Sequence, residues 1–176
     1  MKRVILTFTA TGSYHCDGLG SAFPLLLDSA LSQLGCQTCP VFATCQMSHW
    51  TSHEVNITDI EALRLACAEM GLELLQNATA RGYKVYHQAE NRLHGEFVIR
   101  LKGPYDIAIN KNPGGKYALT TDWWNGHVAK EVGENFGKLL QLYGVHKATV
   151  AARKQGYLVS RQPAKNGAIQ LRISCP

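Results

Sequence analysis

The sequence predicts an α+β fold: a mainly antiparallel sheet with two or three helices on one face, plus a small N-terminal ββα unit. Three observations carry this. Residues 105–124, YDIAINKNPGGKYALTTDWW, hold two strand-like runs separated by Asn112-Pro113-Gly114-Gly115. Pro presets one turn dihedral and Gly supplies a positive φ, so the chain can reverse there into a hairpin. Residues 128–143 place Val128, Val132, Phe136, Leu139, Leu140 and Tyr143 at helical spacing. The remaining strand candidates are short runs bounded by turn residues.

In chain order, residues 2–10 set Val4, Leu6 and Phe8 against Ile5, Thr7 and Thr9, which is strand spacing. Gly12-Ser13 turns the chain, and Tyr14 to Asp17 reads as a short return strand. Phe23, Leu26, Leu27, Ala30, Leu31 and Leu34 define a helix over residues 23–34, with Ser21 as cap, Pro24 in the first turn and Gly35 as stop. Such a ββα unit buries too little surface to stand alone, so it must pack against the rest or extend its sheet. Residues 36–46, CQTCPVFATCQ, have no periodicity and read as a linker or a metal-bearing loop. The division is therefore residues 1–46 as a small appendage and 47–176 as the main domain.

Residues 50–57 alternate like a strand. Thr58-Asp59-Ile60-Glu61 reads as a capping box with Thr58 as the cap. It opens a helix whose apolar face is Ile60, Leu63, Cys67 and Met70, and Gly71 ends it. Residues 72–75, 82–87 and 96–101 are further strands. Beyond the central hairpin, Asn125-Gly126 turns the chain again. The helix over 128–143 stops at Gly144, and a second helix over 145–154 follows. Residues 157–161 and 168–174 close the chain as strands about a turn at 163–167.

Hydrophobic residues make up 45% of the 176 and charged residues 18%, which supports a sizeable core and excludes a disordered chain. No apolar run approaches the ~20 residues that span a bilayer, so no membrane role is expected. The start, MKRVILTFTATGS, lacks the continuous apolar core of a secretory signal. A cytoplasmic protein is the expectation, and its six cysteines are then reduced thiols, metal ligands or redox groups. Charge is uneven: residues 135–176 carry 7 Lys/Arg and no acid, whereas residues 47–134 carry 9 Lys/Arg against 11 Asp/Glu.

Three sets of residues could carry chemistry. Cys36, Cys39 and Cys45 with His49 could supply the four S or N ligands of a tetrahedral zinc, the one cofactor the sequence suggests. Their spacing is not that of a standard finger, and three thiols in a linker is the plain reading. Lys147, Arg153, Lys154, Arg161, Lys165 and Arg172, with Tyr143 and Tyr157 among them, could track a phosphate backbone, or form a solvated face that docks an acidic partner. Trp123 and Trp124, read as a strand, point to opposite faces, leaving one in the core and the other as a partner-binding anchor, although both as packing residues is the plain reading. The seven histidines are scattered, and no nucleophile–base order or paired carboxylate stands out, so nothing in the sequence motivates an enzyme.

From Met47-Ser48-His49-Trp50 to the C-terminus the chain resembles the hypothetical chloroplast reading frame thirty-five family, a plastid, bacterial and phage domain of unknown function. The resemblance rests on that opening, on TDIEALRLACAEMG, on the Arg81-Gly82-Tyr83 step and above all on YDIAINKNPGGKYALTTDWW. Residues 1–46, through MKRVIL, Cys16 and the following helix, resemble a second small domain often encoded beside the first. The resemblance implies a fusion of two products that normally touch, and an accessory role beside an AAA+ ATPase, sometimes also near a ferredoxin-like protein. It brings no active site. The expectation is a non-enzymatic accessory protein acting through protein–protein contact. A nucleic-acid-binding module and a metal or redox protein are the alternatives.

Overall fold

One long helix serves two antiparallel sheets. A computed structural model describes residues 3–11, 14–17, 50–82 and 93–174, and the fold is α+β. The strands are β1 (Arg3–Phe8), β2 (Tyr14–Asp17), β3 (Trp50–Ile57), β4 (Glu73–Thr79), β5 (His94–Arg100), β6 (Ile107–Lys111), β7 (Tyr117–Asp122), β8 (Leu158–Pro163) and β9 (Ile169–Ser174). The helices are α1 (Ile60–Glu69), α2 (His127–Val132) and α3 (Gly137–Lys154). A four-stranded sheet runs β2-β1-β9-β8, and a five-stranded sheet runs β3-β7-β6-β5-β4. The predicted helix over 23–34 and the predicted strand over 82–87 lie outside the described residues, apart from Gly82.

The central hairpin forms as its sequence dictates. Gly115 N donates to Asn112 O (2.8 Å) and Asn112 N to Lys116 O (2.7 Å), while Gly115 takes φ +79°. That is a three-residue loop with glycine in the left-handed position. Strand alternation then sends Ile107, Ile109, Leu119 and Ile99 to the helix side, where they meet Leu63, Cys67, Val132, Phe136, Leu139 and Tyr143 in the larger core. Leu6, Phe8, Leu171 and Ile173 line the four-stranded sheet and pack against Val145, Ala148 and Ala152. The first half of α3 thus belongs to one core and its second half to the other.

Two expectations about the helices are corrected. The cap of α1 is Asp59, not Thr58: its Oδ1 accepts from Glu61 N (3.0 Å) and Ala62 N (3.1 Å). Thr58 is engaged elsewhere, since its Oγ1 accepts from Lys147 Nζ (2.9 Å) and its amide donates to the Tyr143 hydroxyl (3.0 Å). The expected helix over 128–143 breaks at Gly133, and α3 then runs through Gly144 without stopping. Gly133 (φ +81°), Asn135 (φ +49°) and Phe136 (φ +61°) all take conformations that no helix allows.

The five-stranded sheet is partly covered on its second face by its own chain. Ala80 and Leu93, with Ala78 and Leu75, pack on Val98 and Ala108, so the far end of the β4–β5 pair folds back over the sheet. Gly95 sits where there is no room for a side chain: a Cβ there would collide with the Phe97 carbonyl. Where β5 leaves β6, Asn110 replaces the ladder, accepting from Glu96 N and donating to His94 O, each at 3.0 Å.

Candidate functional site

The fold-back delivers Arg81 to Asp106, just before β6. Asp106 is fully buried, and its carboxylate takes five donors. Oδ2 accepts from Arg81 N (2.8 Å), Arg81 Nε (3.0 Å) and Arg100 Nη1 (2.8 Å). Oδ1 accepts from Arg81 Nη2 (2.9 Å) and Leu101 N (3.1 Å). Arg81 Nη2 also donates to Leu101 O (2.6 Å). The hydrogen bonds it donates to the Asp106 carboxylate hold the Arg81 guanidinium above its usual range. Both oxygens are thus taken up by donors, and Asp106 fastens Arg81, Arg100 and Leu101 together. Sequence reasoning missed it, although Arg81 and Asp106 both stand in the stretches that carried the resemblance.

The tryptophan pair comes at the end of β7. It leaves the strand rather than extending it: Trp123 has φ −82° and ψ 9°, and Trp124 starts a 3-10 turn. The division of roles is nonetheless one ring in and one out. Trp123 lies against Phe136, ring centroids 4.8 Å apart, while Trp124 is 41% exposed. The turn under Trp124 is pinned. Its amide donates to the buried Asp122 Oδ1 (2.9 Å), and Gly126 N closes back on Trp123 O (3.2 Å). Asn125 and Gly126 supply the left-handed φ angles, 52° and 66°, that such a turn needs. Nearby, Tyr105 and His127 set their rings 5.7 Å apart, and Glu131 accepts from the amides of Lys102 (2.9 Å) and Gly103 (2.8 Å).

The basic residues differ in their surroundings. Lys147 is buried, donating to Thr58 and lying 5.8 Å over the Tyr143 ring, so it is withdrawn from any surface track. Arg161 forks onto Glu69 with Nη1 and Nη2 at 2.8 and 2.7 Å, and His146 Nε2 meets the same carboxylate at 2.8 Å. Arg153 and Lys154 end α3, Lys165 sits in the β8–β9 turn, and Arg172 lies on β9, all exposed. Arg172 alternates with the core residues Leu171 and Ile173, so it faces away from the helix. Cys36, Cys39, Cys45 and His49 lie outside the described residues. Among the described residues, no three of His, Cys, Asp and Glu gather to hold a metal ion. Among them, too, no helix is long and apolar enough to cross a membrane.

These features define an α+β protein of two antiparallel sheets bridged by a helix, with one exposed tryptophan on a pinned turn. Residues 66–172, more than half of the chain, match the family described as protein of unknown function (DUF1257), and the chain belongs to that family. No curated protein and no solved structure matched the chain.

Proposed function

We propose that this protein is a non-enzymatic accessory subunit, of the reading-frame-thirty-five kind and cytoplasmic, that docks another protein through Trp124. An AAA+ ATPase is the partner that the sequence resemblance suggests. The observation that carries this reading is the exposure of Trp124 on a turn held by Asp122, Asn125 and Gly126. An exposed indole on a backbone already held in place loses less entropy on binding, and tryptophan is among the residues enriched at interface hot spots. The basic residues, one buried and one ion-paired, support a nucleic-acid track less well.

Affinity purification from the native host, with and without nuclease, tests the proposal. A partner with AAA+ ATPase character should survive nuclease. Trp124→Ala should weaken its recovery by the roughly tenfold or more expected of an anchor residue worth about 2 kcal/mol. Recovery that collapses with nuclease, or that Trp124→Ala leaves unchanged, overturns it.

A further inference from the structure

β1 is an interior strand of the four-stranded sheet, between β2 and β9, yet it lies outside residues 66–172 that define the family match. The matched residues contain β8, most of β9 and all of α3, so within them one edge of β9 is uncovered; β3 of the other sheet likewise lies before them. In this chain β1 covers it along a register from Arg3↔Ser174 to Phe8↔Ile169. Leu6 and Phe8 close over Val145, Ala148, Ala152, Leu171 and Ile173.

The floor beneath is shaped for that strand. Gln141, buried in α3, donates through Nε2 to Phe8 O and to Gly167 O, both at 2.9 Å, so one side chain marks where the strand ends. Gly137 lets the turn after β1 approach the helix: a Cβ there would run into the Ala10 carbonyl. An unpaired strand edge above an apolar floor is the arrangement by which proteins capture an extended segment of another chain.

We propose that the β9 edge and the second half of α3 form a strand-acceptor site. Its ligand is an antiparallel strand pair with apolar residues at alternate positions, and β1 and β2 of this chain fill it. The pairing is held by the ladder, the two apolar side chains and the Gln141 clamp, not by the covalent connection through residues 18–49.

The test uses the full chain with a specific protease site placed within residues 36–46. It is purified folded, cut, and run on a sizing column under native conditions. The two pieces should elute together at the mass of the uncut protein. A fluorescent synthetic peptide of residues 2–17, added in excess, should then exchange into the complex, and the same peptide with Leu6→Asp should enter at least about tenfold less well, because it would bury an unpaired charge. Separation of the pieces on the column overturns the proposal, as does equal entry of the two peptides.

Discussion

Asp106 shows how one side chain can fix a path that the backbone alone would not take. Its two oxygens hold the amides of Arg81 and Leu101 and the guanidinium groups of Arg81 and Arg100, all within 3.1 Å. Asp106→Asn keeps the shape but turns one oxygen into a donor that faces donors. It also leaves two guanidinium groups without their counter-charge. The Arg81 and Arg100 side chains are 44% and 33% exposed, so water offsets part of the loss. The expected cost is roughly 2–4 kcal/mol, below the full penalty for a sealed pair. Urea denaturation of the two proteins measures it, and a loss below about 1 kcal/mol would remove Asp106 from this role.

At the scale of elements, local chemistry was readable and distant chemistry was not. The central hairpin could be read because Asn112-Pro113-Gly114-Gly115 contains its own turn, and Gly71 ends α1 as its position suggested, at φ +67°. The break between α2 and α3 could not be placed. Both helices turn their apolar residues to the same core, so the spacing from Val128 to Tyr143 runs through the break unchanged. Gly144 looked like the stop, but it is buried in the middle of α3. Thr58 lost the cap to Asp59 because Lys147 and Tyr143, far along the chain, engage it. The burial of Lys147 and the donor shell of Asp106 are likewise tertiary facts, and strand alternation offered one buried and one exposed indole at 123–124 without telling which. Gly133 gives the element-scale prediction. With φ +81° and Lys138 N only 2.9 Å from where a Cβ would sit, Gly133→Ala meets both backbone strain and a clash. It should lower stability by about 1–3 kcal/mol, read as a fall in thermal midpoint. Gly114→Ala, at a position with open space, should cost less.

Over the whole molecule, α3 joins two cores, and a second joint crosses at the surface. Glu69 at the end of α1 is shared by His146 on α3 and Arg161 on β8, which ties the five-stranded half to the four-stranded half. Hydrogen bonds from Arg161, ahead of those from His146, hold the Glu69 carboxyl below its ordinary value. A carboxyl depressed in the folded state stabilises that state fully above its unfolded pKa, near 4.5, and the contribution fades as pH falls through the lower folded value. The melting-temperature advantage of the natural protein over Glu69→Gln should therefore be present at neutral pH and shrink in acid below pH 4.5. A gap that stays constant through the acid range would show that the joint does not depend on the charge. The pairing of β1 with β9 has a mechanical consequence as well. Arg3 and Ser174 are directly opposite each other, so tension applied at these two points acts across the ladder rather than along it. In an antiparallel pair the inter-strand bonds lie perpendicular to the strands, and such a load meets them one at a time from the Arg3 end. The fold is a zipper under that pull, yielding bond by bond, where a load along the strands would have to shear the whole row at once.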